Sequence, residues 1–327
     1  MSLASRLSAK PEYYQIYLLN LLTLFVENGN TIQRTITKHK KEAEYPLASK
    51  LGMLLPILRT LLEHDDFNPH LDPSEEAVSL FRNAWFHCVL FGFVTESVWI
   101  REWHDHLLVI AKKTPVLVTE SATNYIESDL EYNSVLRGGN MAEHNLASMR
   151  QRLTSFLPSL SYDIKNFSFA QVVFALSFYH IEMMRSKMGD CSYVLRYFMN
   201  DGIINSSLAN CLETITDRVV GAFVKDSASK ASVQGISAEL NEQMSSILKL
   251  ACHRLRKVHE LAIKSAERIV AAFPQVFAEK SLITLLLELV QLLWLSCESE
   301  YREEVWNTIA HIYLDLINMV LTNKYAN

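Results

Sequence analysis

Glycine and proline are scarce in this sequence, with nine and eight in 327 residues, which excludes a turn-rich β protein. Cysteine is scarce too. Cys88, Cys191, Cys211, Cys252 and Cys297 are odd in number and widely spaced, so they form neither a paired zinc motif nor a disulfide framework, and a reducing compartment is expected. Excess charge of one sign is small: a net −5 gives no reason to expect nucleic acid as a partner. Long hydrophobic runs are missing as well. The most apolar one, 282–297, carries Glu288 and Gln291 and falls short of the roughly 20 residues that span a bilayer. Residues 1–10 are polar, with no secretory signal, so a soluble chain is expected. Neither end carries a cap, and the chain is expected to be a piece of a longer one.

Recognisable catalytic chemistry is also lacking. No glycine-rich loop over phosphates occurs, and Gly138-Gly139 reads as a helix stop. Thr216-Asp217-Arg218 lies in a helical stretch with no catalytic asparagine downstream, so the protein-kinase set is absent, as is a nucleophile elbow. His104-Asp105-His106 and Cys252-His253 contain the right residue types, but adjacent helical residues point in different directions. The loop His64-Asp65-Asp66-Phe67-Asn68-Pro69-His70-Leu71-Asp72 has the densest set of metal-ligand types. A site there needs fixed geometry that a proline-containing loop does not supply, and the plain reading is a polar inter-helix loop. A metal-using helical enzyme built on this loop is the third function class considered.

What is abundant is apolar residues at helical spacing. Residues 77–115 are the centre of the pattern. From 78 to 94 the chain is apolar on nearly every side, apart from a strip of Ser79, Arg82, Asn83 and His87, so this helix must be covered by several others. A second helix from 96 places Trp99, Ile100, Trp103, Leu107, Ile110 and Ala111 on one face. Arg101, Glu102, Asp105 and Lys112 lie on the other, and Thr114-Pro115 stops it. Trp99/Trp103 and Tyr193/Tyr197 sit at core-packing spacing.

Before this centre, 13–26 is read as a helix ended by Asn28-Gly29-Asn30. A second helix, 31–44, carries Arg34, Lys38 and Lys41 on one face and Ile32 and Ile36 on the other. Those three basic residues are the candidate contact for anionic lipid, worth about 1 kcal/mol per charge; the plain alternative is a solvated face. Pro46 restarts a helix to about 63 that Pro56 is expected to kink. After the centre, helices are expected at 121–137, 142–157 and 169–184, the last opened by a Ser168/Gln171 capping box. A short helix with Tyr193, Leu195 and Phe198 precedes one over 203–224. Residues 227–232 are small and polar, the best candidate for a linker. From 236 to 273 apolar positions step by four, four and three, an eleven-residue repeat that predicts one long straight helix ended by Pro274. Helices at 281–297 and 300–321 follow. The longest strand-like stretch is 116–119.

About a dozen helices joined by short loops predict an all-α fold, an α-solenoid of antiparallel helical hairpins of the degenerate HEAT/armadillo-like type. A compact bundle is the alternative. The whole of 1–327 is read as one segment, divisible into 1–72, 73–226 and 227–327.

Five pieces of the sequence carry a family resemblance in order. They are Leu80-Phe81-Arg82-Asn83-Ala84-Trp85-Phe86 running on to Phe93; Trp99 to Trp103 with Ile110-Ala111-Lys112-Lys113-Thr114-Pro115-Val116-Leu117; Ser128-Asp129-Leu130-Glu131-Tyr132-Asn133-Ser134-Val135-Leu136; 167–185, ending in Tyr179-His180-Ile181-Glu182-Met183-Met184-Arg185; and 248–274. Together they resemble the non-catalytic helical region of the type III alpha phosphatidylinositol 4-kinases, in their fungal forms. The resemblance covers roughly 80–297. It implies a parent enzyme that makes phosphatidylinositol 4-phosphate at the plasma membrane with ATP and Mg, through a kinase domain outside this chain. No catalytic, cofactor-binding or metal-binding residue falls on this segment. It also implies a helical-repeat adaptor subunit and a membrane-anchor subunit as partners, and a cytoplasmic, membrane-peripheral location. The leading expectation is thus a scaffold that positions those partners and the kinase domain. The alternative is a membrane-contacting helical adaptor that binds anionic lipid through the basic helix.

Overall fold

The computed structural model describes residues 7, 10–38, 44–64, 67–69, 73–95, 97–118, 126–137, 143–234 and 238–299. Every regular element among them is helical, so the fold class is all-α as expected. The helices are α1 (Pro11–Lys38), α2 (Glu44–Gly52), α3 (Leu55–Leu62), α4 (Glu75–Leu90) and α5 (Ser97–Lys113). Next come α6 (Ile126–Glu131), α7 (Ser134–Arg137), α8 (Glu143–Phe156), α9 (Ser161–Asn166) and α10 (Phe169–Lys187). The last are α11 (Asp201–Ile204), α12 (Ala209–Gln234), α13 (Ala238–Ala251), α14 (Arg256–Ala272) and α15 (Lys280–Ser299). The chain divides into two compact units: residues 1–188 with 200–214, and residues 189–199 with 215–327.

The first unit is built around α4, α5 and α10. Helix α4 has eleven buried residues in sixteen, so it is enclosed on several sides as its sequence requires. Ser74 caps it by accepting a hydrogen bond from the Ala77 amide. Helix α1 and α10 pack on α4, and α3 and α10 on α5. The α10 capping box forms in full: Ser168 Oγ accepts from the Gln171 amide while Gln171 Oε1 accepts from the Ser168 amide at 2.7 Å.

Helix α1 does not stop at Asn28-Gly29-Asn30 but runs unbroken from 11 to 38. Gly29 is needed for a different reason. A Cβ on it would lie 2.6 Å from the His87 imidazole of α4, so the glycine lets the two helices approach. Gly52 does the same at the end of α2, where a Cβ would lie 2.7 Å from the Trp103 indole. Pro56 does not kink a helix: the chain turns at Met53-Leu54, and Pro56 starts α3 in its first turn. Within the predicted helix over 121–137 the described part, 126–137, is two short helices, because Asn133 Oδ1 accepts from the amides of Val135 and Leu136 and so begins α7 afresh.

The second unit holds the largest correction. The stripe over 236–273 does not form one long helix: the chain turns at 252–255, and α13 and α14 pack face to face. Leu240, Met244, Ile247 and Ala251 bury themselves against Val258, Ala262, Ala266 and Ile269, all at most 1% exposed. A straight apolar stripe is buried as well by folding back on itself as by a partner. His253 Nδ1 accepts from the Leu255 amide in the turn, and His259 Nδ1 lies 2.5 Å from the carbonyl oxygen of Ala251 at the end of α13. The expected linker is also corrected, since residues 227–232 lie inside α12. Their small polar side chains are compatible with a solvated helix, and Lys230 pairs with Asp226 at 2.9 Å. A 3-10 helix (Tyr193–Met199) packs on α14, and α15 packs on α13 and on the 3-10 helix Pro274–Ala278. The stretch 116–118 is not a strand, and the predicted helix 300–321 lies outside the described residues.

Gly29→Ala is expected to destabilise the chain by about 1–3 kcal/mol, the usual cost of overpacking. His87→Ala in the same chain should recover part of the loss, as read by urea denaturation of both single variants and the double one.

Candidate functional site

The densest set of buried polar groups in the first unit gathers where α5 ends. Arg185, near the end of α10, is fully buried. Its Nε donates to Glu182 Oε2 at 3.1 Å, one turn earlier on the same helix. Its Nη1 and Nη2 donate to the main-chain oxygens of Lys112 and Thr114 at 2.9 and 2.8 Å. The guanidinium thus satisfies carbonyls that α5 leaves open at its last turn. Thr114 Oγ1 donates to the Ile110 oxygen at 2.7 Å and accepts from Trp85 Nε1 of α4 at 2.9 Å. Four atoms of the 110–114 turn are therefore held by side chains of α4 and α10 or by each other.

Lys113 lies in the same turn and is buried. Its Nζ donates to the Phe67 oxygen at 2.8 Å, to Asn68 Oδ1 at 3.1 Å and to the His64 oxygen at 3.4 Å. The described part of the 64–72 loop therefore wraps an ammonium through main-chain and amide oxygens. Asp65, Asp66, His70 and Asp72, the other candidate ligands there, lie outside the described residues. Among the described residues no group of three or more His, Cys, Asp or Glu side chains gathers to hold a metal.

On the outer side of α4 a second polar link forms. Arg82 pairs with Asp129 of α6, and Asn83 Oδ1 accepts from Asn133 Nδ2 at 2.8 Å. The polar strip foreseen on α4 is thus directed at α1, α6 and the α6–α7 junction. His87, its last member, is fully buried beside Gly29. Burial pushes its pKa down to about 4, against a hydrogen bond with the Val26 backbone. His180 on α10 is likewise held at about 4, by burial first and then by the charges of Arg152 and Lys187.

The remaining sequence candidates stay apart. Asp105 is exposed, His104 and His106 are half-buried, and His106 faces the Trp103 ring at 6.2 Å, so the three do not converge. Cys252 is half-buried, with a thiol that burial pushes up to about 11, the opposite of an activated nucleophile. Asp217 forms ion pairs with Arg268 at 2.7 Å and Lys264 at 3.5 Å. Partial burial raises its pKa, but the Arg268 hydrogen bond and both positive charges outweigh this and hold it below its usual value. Arg34 is exposed on α1; the Lys38 side chain and all of Lys41 lie outside the described residues. Trp103, Tyr193 and Tyr197 are buried core, and the Trp99 side chain lies outside the described residues. Sequence reasoning did not single out Arg185, Glu182 or Lys113. The available signal was an i, i+3 charge pair inside the apolar run of α10.

Among the described residues, donors directed at helix-end carbonyls and at side-chain acceptors of neighbouring helices define a helical packing module. The chain belongs to the PI4-kinase N-terminal region family, whose profile matches residues 2–97 and 95–313. It is 25% identical over 278 residues to phosphatidylinositol 4-kinase STT4 of Saccharomyces cerevisiae, a match covering 84% of this chain and 14% of that protein. It is 29% identical over 235 residues to phosphatidylinositol 4-kinase stt4 of Schizosaccharomyces pombe, covering 71% and 12%. With phosphatidylinositol 4-kinase alpha 1 of Arabidopsis thaliana it shares 22% over 305 residues, covering 72% and 14%. The chain thus spans about one seventh of the length of the curated relatives it matches. No solved structure matches it. Four of the five pieces that carry the resemblance supply these polar contacts: Arg82, Asn83 and Trp85; Lys112 to Thr114; Asp129 and Asn133; Glu182 and Arg185.

Arg185→Met is expected to cost about 3–5 kcal/mol, because it strands Glu182 and two main-chain oxygens in the interior. Arg185→Lys should recover only part of this, since one ammonium does not reach all three acceptors; chemical denaturation checks both. Acid should also weaken the fold. His87 and His180 have folded pKa values below that of the free imidazole, so the unfolded chain binds more protons as pH falls from about 6.5 towards 4. Stability is expected to drop across that window by on the order of 3 kcal/mol for each imidazole, as read by denaturant midpoints against pH.

Proposed function

We propose that this chain is a non-catalytic scaffold segment of a phosphatidylinositol 4-kinase, holding partner subunits and the distant kinase domain in register. The carrying observation is that four of the five family-like pieces meet in one buried packing framework of the first unit. In this reading the parent enzyme is a transferase that phosphorylates phosphatidylinositol to phosphatidylinositol 4-phosphate. ATP and Mg act at the kinase domain, remote from these residues. The segment works in the cytoplasm at the periphery of the plasma membrane. Its partners are the rest of the kinase, a helical-repeat adaptor subunit and a membrane-anchor subunit. Rigidity supports that task. A scaffold transmits position only if its helices do not slide, and hydrogen-bonded polar contacts between helices fix register more sharply than apolar packing alone.

The 327-residue chain is expected to show no turnover in a lipid kinase assay with ATP, Mg and phosphatidylinositol, and to be retained by the adaptor subunit in a pull-down. Crosslinks from that complex should fall on exposed helix faces. Measurable lipid phosphorylation by this chain, or absence of retention by both proposed partners, overturns the reading.

A further inference from the structure

We propose that the turn between α13 and α14 is a docking tip for an anionic lipid leaflet. The chain reverses over 252–255. The Cys252 and His253 amides donate to the Lys249 and Leu250 oxygens at 3.2 and 3.0 Å, and the Leu255 amide donates to His253 Nδ1 at 3.2 Å. This reversal gathers Lys249, Arg254, Arg256 and Lys257 within nine residues. Lys249, Arg254 and Arg256 are exposed, and Lys257 is half-buried. No aspartate or glutamate occurs from 243 to 259. The flanking acids are Glu242, about two helical turns before the tip, and Glu260, which pairs with Arg256 at 2.7 Å. Four cations against one close acid leave the tip positive.

The residues between the charges select the occupant. Leu250 and Leu255 are half-buried, one on each arm of the turn, so apolar groups stand among the cations. A leaflet supplies both matching chemistries, with anionic headgroups outside and acyl chains beneath. Lysine and arginine side chains suit that boundary too, with an apolar stem and a charged head. Nucleic acid has no apolar layer, and its unpaired bases stack on aromatic rings. No phenylalanine, tyrosine or tryptophan occurs between Phe223 and Phe273. A peptide is bound in a groove or along a sheet edge, whereas a reversal between two packed helices projects outward. Because α13 and α14 already pack face to face, the tip needs no folding on contact. It lies wholly within the second unit. This surface does not rest on the scaffold role, and lipid binding is readable without any partner subunit.

Sedimentation of the full chain with vesicles tests it, using phosphatidylcholine alone and phosphatidylcholine with about a third phosphatidylserine. Binding to the mixed vesicles that weakens with added salt is expected, with little binding to the neutral ones. Lys249→Ala with Arg254→Ala should weaken it roughly thirtyfold, which is about 2 kcal/mol at 1.4 kcal/mol per factor of ten. The helical circular-dichroism spectrum should not change, since both side chains are exposed. Leu255→Ser should weaken binding about fivefold and keep the helix, because Leu255 starts α14 without a side-chain cap and serine caps well. Glu260→Gln should strengthen binding about fivefold, a gain that damage to the fold does not produce. Equal binding to neutral and anionic vesicles overturns the proposal. So does sedimentation unaffected by the Lys249/Arg254 pair. Retention of a DNA duplex that is lost in that pair, without vesicle binding, assigns the tip to nucleic acid and overturns it too.

Discussion

A guanidinium with no exposure to water sets the terms for the first unit. Arg185 cannot lose its proton in the interior, so its charge must be met there, and it is met by Glu182 and two main-chain oxygens at the end of α5. Meeting it fixes the distance and rotation between α5 and α10. Trp85 then reaches the same turn from α4 through the Thr114 hydroxyl. Three helices are tied at one place, where Arg185, Thr114 and Trp85 are all out of reach of water. Hydrophobic burial supplies most of the driving force, but it is indifferent to small slips between helices, and directional bonds are not.

The same economy recurs at the edges of that knot. Lys113 leaves the α5 end in another direction and holds the 64–68 loop by its oxygens. Arg82 and Asn83 tie α4 to α6 and to the start of α7. Helices that end in mid-interior would otherwise leave carbonyls without partners, at a cost of several kcal/mol for a full turn. Side chains from neighbouring helices take the place of caps, and each such replacement couples two elements. In the second unit the same logic uses Gln243, whose Oε1 accepts from the amides of Cys191 and Ser192 at 3.0 Å. Asp190 caps the following 3-10 helix by accepting from the Ser192 and Tyr193 amides.

Interior side chains such as Arg185, Lys113 and Gln243 direct hydrogen bonds at the backbone, and His87 and His180 are held neutral by burial. The outside carries exposed apolar residues on α1, such as Tyr13 and Ile16, and exposed leucines on α15, such as Leu287 at 64%.

The sequence alone determined the class of the fold, the existence and faces of α4, α5 and α10, the Ser168/Gln171 cap and the absence of catalytic motifs. All of these rest on local periodicity, which a chain carries in its own order of residues. It also carried the family likeness, because that likeness is collinear. Tertiary structure alone decided the rest. Asn28-Gly29-Asn30 reads as a stop, yet His87 from α4 needs the space beside Gly29, and α1 runs through. The 236–273 stripe reads as one rod, yet its two halves bury each other better than solvent covers either, and the chain turns at 252–255. Nothing local to Arg185 or Lys113 announces their distant acceptors, which lie 45 to 73 residues away. Periodicity records which face of a helix is apolar but not which distant segment covers it, and only the packed chain supplies that partner.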